Sequence, residues 1–99
     1  MTGARWTMKR EAAETVAVQA LVFLAGRPEA LGTFLDAAGA EAGELRARAQ
    51  DPEFLGFVMD FMLQDEDLLM AFCDDLGLPY DVPMRTRGAL PGGDLPHWT

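Results

Sequence analysis

The sequence predicts an all-α fold, a compact orthogonal bundle of five or six short helices in one domain spanning residues 1–99. Helix-start and helix-stop residues recur at short intervals, and no run alternates apolar and polar residues as a half-buried strand does. Two segments also resemble each other. One reads Phe34-Leu-Asp-Ala-Ala-Gly39, followed by Leu45-Arg-Ala-Arg48 and Pro52. The other reads Phe72-Cys-Asp-Asp-Leu-Gly77, followed by Met84-Arg-Thr-Arg87 and Pro91. Each copy spells a helix, a glycine stop and a shorter second helix. The expected arrangement is two similar helix pairs around two central apolar helices.

The elements follow in order. A first helix is expected from Thr7 or Met8 to Ala25, with Gly26 as its left-handed stop. Pro28 suits the first turn of a second helix, where its missing N–H costs nothing; that helix presents Leu31, Phe34 and Leu35 and ends at Gly39. A short helix follows around Ala42 to Gln50, anchored by Leu45. Asp51 and Pro52 form a good N-cap and first residue for a fourth helix reaching Leu63 or Gln64. Asp65 caps a fifth helix with Glu66 and Asp67 in its first turn, favourable against the helix dipole, and Gly77 ends it. A last short helix is expected near Val82 to Ala89, with Pro83 confined to its first turn. From about residue 90 the Pro- and Gly-rich tail reads as extended.

Ninety-nine residues bury one core. The apolar fraction of 49% and charged fraction of 24% are those of a soluble globular domain. The longest apolar run, Val16 to Ala25, is about half a membrane span, no signal-like segment is apparent, and the single Cys excludes an internal disulfide. The expected location is cytoplasmic.

Charge is distributed unevenly. The net charge is −8, and between Arg48 and Arg85 there is no basic residue while nine acids fall in the gap. Such a field repels phosphate backbones and anionic lipid, so neither nucleic acid nor a membrane is the expected partner. A basic protein is. The candidate contact residues on this side are Asp65, Glu66, Asp67, Asp74 and Asp75.

The first and fourth helices are apolar nearly all round, which marks them as central. A body of this size is expected to leave part of helix four uncovered for a partner or a second copy, with Met59 and Met62 as adaptable contact residues. Trp98 in the tail is a further candidate anchor. Gly32 and Gly56 sit inside helices at a cost of about 1 kcal/mol each, so each is expected to have a neighbouring helix packed close against it. Arg46 and Arg48, like Arg85 and Arg87, lie two apart and cannot share a helix face. One of each pair is expected to turn inward onto a helix-end carbonyl, Asp36 or Asp74.

Chemistry is sparse. His97 is the one histidine, without a second ligand or triad partner. Cys73 reads as a buried small hydrophobe. Asp65-Glu66-Asp67 fails as a calcium loop, because Met70 holds the sixth position and Leu76 the twelfth. No catalytic residue, metal or cofactor is predicted.

Taken together, Ala20-Leu-Val-Phe-Leu-Ala-Gly-Arg-Pro28, Leu31-Gly-Thr-Phe-Leu35, Asp51-Pro-Glu-Phe-Leu55, Asp60-Phe-Met-Leu63, Asp65-Glu-Asp-Leu-Leu69 and Ala89-Leu-Pro-Gly-Gly93 resemble a family of short bacterial proteins, domain of unknown function 3572. The resemblance covers about Ala12 to Gly93 and implies a compact all-α domain. It implies no activity or cofactor, and it makes Pro83 a departure in a last helix expected to be regular. The functional expectation is a protein–protein interaction module; the alternatives are a small enzyme using clefted carboxylates or a carrier of an apolar ligand.

Overall fold

Proline, aspartate and glycine set the helix boundaries. The computed structural model of the chain describes residues 8–92. Its helices are α1 (Arg10–Ala25), α2 (Pro28–Ala38), α3 (Leu45–Arg48), α4 (Pro52–Leu63), α5 (Glu66–Leu76) and α6 (Val82–Gly88), with a 3-10 turn at Ala42–Glu44 leading into α3. Among the described residues there is no strand. The fold is all-α.

Local chemistry explains the boundaries. Asp51 caps α4 by accepting from the Glu53 N–H at 3.0 Å, and Asp65 caps α5 by accepting from the Leu68 N–H at 3.2 Å. Gly39 and Gly77 end α2 and α5 in the same left-handed conformation, at φ 66° and 69°. The next amide in each copy reaches back to close the same terminal loop, from Ala40 to the Leu35 carbonyl at 3.1 Å and from Leu78 to Cys73 at 2.8 Å. Gly26 behaves differently from the expectation. Its φ is −87°, so it is no left-handed stop; α1 ends because Arg27 precedes Pro28 and takes an extended conformation instead. α1 also starts later than expected, at Arg10, and the Met8 thioether meets the Thr86 hydroxyl at 3.4 Å. Pro83 lies buried in the first turn of a regular α6.

α4 lies at the centre. Phe54, Leu55, Gly56, Val58, Met59 and Met62 are buried on it, with α1, α2, α5 and α6 packed around. Phe34 of α2, fully buried, meets the rings of Phe54, Phe57 and Phe61 at centroid separations of 5.3–5.7 Å. Phe23 of α1 meets Phe72 of α5 edge-on at 5.5 Å. The two repeat copies are not used equivalently. α6 lodges against both α1 and α4 through Val82, Pro83 and Thr86. α3 has four residues and no buried side chain, and it stays at the edge. The expected pair of matching clasps is thus one clasp inside the core and one outside it. A one-turn helix has too little apolar surface to compete for the central groove.

Candidate functional site

Two constellations stand out, one holding the chain together and one facing outward. The first is centred on Arg87 of α6. Its Nε donates to Asp60 Oδ1 of α4 at 2.6 Å, and its Nη1 donates to the Pro91 carbonyl at 2.9 Å. The guanidinium fits because Gly56 and Gly92 flank it: a Cβ on Gly56 would stand 3.1 Å from Nη1, and one on Gly92 would stand 3.1 Å from Nη2. Leu90 is buried beside it. The expected inward-turned Arg is therefore found in the second copy, but its partners are Asp60 and a carbonyl beyond the end of α6 in place of Asp74 or a helix-end carbonyl. Its counterpart Arg48 lies over the Phe54 ring at 5.4 Å instead. Gly56 has its close neighbour; Gly32 faces open space, contrary to expectation.

The second constellation is the outer face of α1. Thr15, Val18, Val22 and Ala25 are all exposed on it, Val22 at 66% and Val18 at 37%. At 100° per residue these four positions fall on one stripe. An open groove of about 340 Å³ runs along one side of that ridge, lined by Leu21, Leu45, Arg46, Ala49 and Gln50. A smaller groove of about 220 Å³ runs along the other side, lined by Gln19, Phe23, Asp75 and Leu76. Val18 and Val22 border both. Leu76 adds a further 37% exposed apolar side chain. Among the described residues neither Arg46 nor Asp75 forms an ion pair.

The residues singled out from sequence are dispersed. Asp65, Glu66 and Asp67 are exposed at the start of α5, whereas Asp74 and Asp75 are exposed at its end. Nine residues of helix separate Asp65 from Asp74, roughly 13 Å at 1.5 Å per residue, so they form no single cluster. Asp65 is occupied as a cap, and Asp74 accepts from the Tyr80 hydroxyl at 2.7 Å. That hydrogen bond, more than the slight burial, holds the Tyr80 phenol above its ordinary pKa. Met59 and Met62 are 0% exposed. Their proposed contact role is corrected: both lie on the buried side of α4, and the exposed large apolar side chains are Val18 and Val22 on α1, Met70 and Leu76 on α5, and Tyr80 and Met84. Trp98 lies outside the described residues. Cys73 is fully buried, and burial raises its thiol pKa, with the Asp74 and Asp81 carboxylates adding to the effect. It is a core side chain, as read. Among the described residues no three His, Cys, Asp or Glu side chains are grouped to hold a metal, and no helix is long and apolar enough to cross a membrane.

The exposed valines were hidden in the sequence by α1 being apolar nearly all round. A period of 15, 18, 22, 25 in uncharged residues was the available signal. It stands beside an equally apolar buried period of Ala13, Ala17, Ala20, Leu21 and Leu24, and composition alone does not rank the two faces.

The model of a family described as "Protein of unknown function (DUF3572)" matches residues 10–93. The chain belongs to this family. No curated protein and no solved structure matches it. The matched region takes in both constellations, from the first residue of α1 to the Gly92 that flanks Arg87.

Proposed function

We propose that this member of the DUF3572 family is a non-catalytic domain that acts in the cytoplasm by protein–protein contact, through the outer face of α1. One observation carries the reading: Val18, Val22 and Leu76 stand exposed in a contiguous strip with a groove on either side. Elsewhere the large apolar side chains of α1 and α4 are covered or half-covered. Apolar surface gathered in one place, rimmed by polar residues, marks contact sites on soluble domains. The rim supports a partner of mixed chemistry. Asp75 calls for a base, Arg46 calls for an acid, and the ridge between them calls for an apolar helix or groove. The acidic surplus elsewhere disfavours nucleic acid and anionic lipid.

A photo-crosslinking residue placed at Val22 of the full chain, in its native cell, tests this. The expected result is a discrete protein adduct that is absent when the same residue replaces exposed Glu29 on α2. Equal labelling at the two positions, or none at Val22, removes the α1 face as a contact site.

A further inference from the structure

The exposed stripe of α1 has the spacing of a helix–helix seam. Thr15, Val18, Val22 and Ala25 are separated by three, four and three residues, the a/d pattern by which two helices interlock. In that register the β-branched Thr15 and Val22 take the a positions, where β-branched side chains suit a two-stranded pair. From Thr15 to Ala25 the helix carries no charge at all, in a chain whose net charge is −8. The seam is thereby the one stretch of α1 where close approach of a like-charged body meets no charge on the helix itself.

The flanks decide the occupant. At the level of Val18 and Val22, Arg46 of α3 stands on one side of the ridge and Asp75 of α5 on the other. Both are exposed and neither is in an ion pair among the described residues. A two-fold axis running along α1 sets the α3 flank of one copy against the α5 flank of the other. That operation brings Arg46 to the partner copy's Asp75 twice over, while Val18 and Val22 meet their own equivalents. An axis across α1 sets like flanks together and puts Asp75 against Asp75. The nearest like charge on the seam in the parallel arrangement is Glu11. It lies one turn before Thr15, at the N-terminal end of the seam, and about 16 Å along the helix from Val22. We propose that a second copy of this chain occupies the α1 face, packed with its α1 parallel, Val22 on Val22 and Arg46 against Asp75. The proposal rests on the contact reading given above and supplies each of the three features the rim calls for from the chain itself. A self-complementary patch of this kind closes as a dimer and does not propagate.

Light scattering after size exclusion, and sedimentation equilibrium from micromolar to millimolar, test it on the full chain. The expected result is a concentration-dependent dimer that Val22→Glu reduces to monomer with an unchanged helical circular-dichroism spectrum. Val22 is two-thirds exposed in the monomer, so the substitution leaves the fold intact. Arg46→Glu and Asp75→Arg should each weaken the dimer, by about threefold to tenfold for two symmetric surface pairs. The double variant R46E/D75R should recover most of that loss. A chain monomeric at every concentration overturns the proposal, and so does a dimer that neither single charge reversal weakens. So does a double variant no better than the single ones. If the chain is monomeric yet crosslinks from Val22 to a different protein, the self-pairing fails and the contact reading survives. A monomer with no adduct at Val22 overturns both.

Discussion

At the scale of single residues, glycines separate what this sequence states from what it conceals. Gly32 and Gly56 occupy equivalent-looking places, each four residues after a helix-starting proline. Nothing lies within 4 Å of a Cβ built on Gly32, whereas one on Gly56 meets the Arg87 guanidinium at 3.1–3.3 Å and the Pro91 carbonyl at 3.3 Å. Alanine improves helix propensity by about 1 kcal/mol in either place. At Gly32 that gain should appear in full, raising the urea midpoint. At Gly56 the crowded backbone carbonyl cannot swing aside as a side-chain tip can, and overpacking of about 1–3 kcal/mol should outweigh the gain. Opposite signs for Gly32→Ala and Gly56→Ala are the expected outcome of the paired unfolding curves. A stabilised Gly56→Ala would mean that the Arg87 seat is loose. Sequence spacing marked both glycines as exceptional and gave no means to tell them apart, because the group that distinguishes them arrives from 31 residues downstream.

At the scale of elements, the repeat was readable as helix grammar and misleading as architecture. The Asp and Pro starts at Asp51, Pro52 and Asp65 and the left-handed stops at Gly39 and Gly77 are local, depending on atoms within five residues. Such features can be read directly from a chain. The unequal fates of α3 and α6 are not local. They turn on whether a short helix carries enough apolar surface to hold the space between α1 and α4, and Val82, Pro83 and Thr86 succeed where Leu45 alone does not. The same limit hides the burial of Met59 and Met62 from the sequence: which face of an all-apolar helix is covered depends on the other helices. Amide hydrogen exchange follows the distinction. α3 and its 3-10 turn should exchange by local opening, well ahead of global unfolding. α6, despite comparable length and the same repeat position, should protect together with α1 and α4. Equal protection of the two short helices would contradict the asymmetry.

At the scale of the whole molecule, the chain closes on itself. Met8, ahead of α1, touches Thr86 of α6, 78 residues later, and α6 packs on α1 and α4 together. The bundle is thus completed by its final helix. Truncation after Asp81 should therefore do more than shorten the protein. It opens the apolar sides of α1 and α4 that Val82, Pro83 and Thr86 cover, and the expected product binds a hydrophobic dye, loses its cooperative thermal transition and aggregates. A soluble, cooperatively melting truncation would show that five helices suffice. The arrangement carries a consequence for synthesis in the cell. A chain emerging from the ribosome presents α1 and α4 ahead of α6, so its central helices are made before the segment that covers them. The nascent domain passes through an interval in which its apolar core is assembled but unroofed. Its exposure to chaperones and proteases lasts until the segment bearing Val82, Pro83 and Thr86 has been made and has docked.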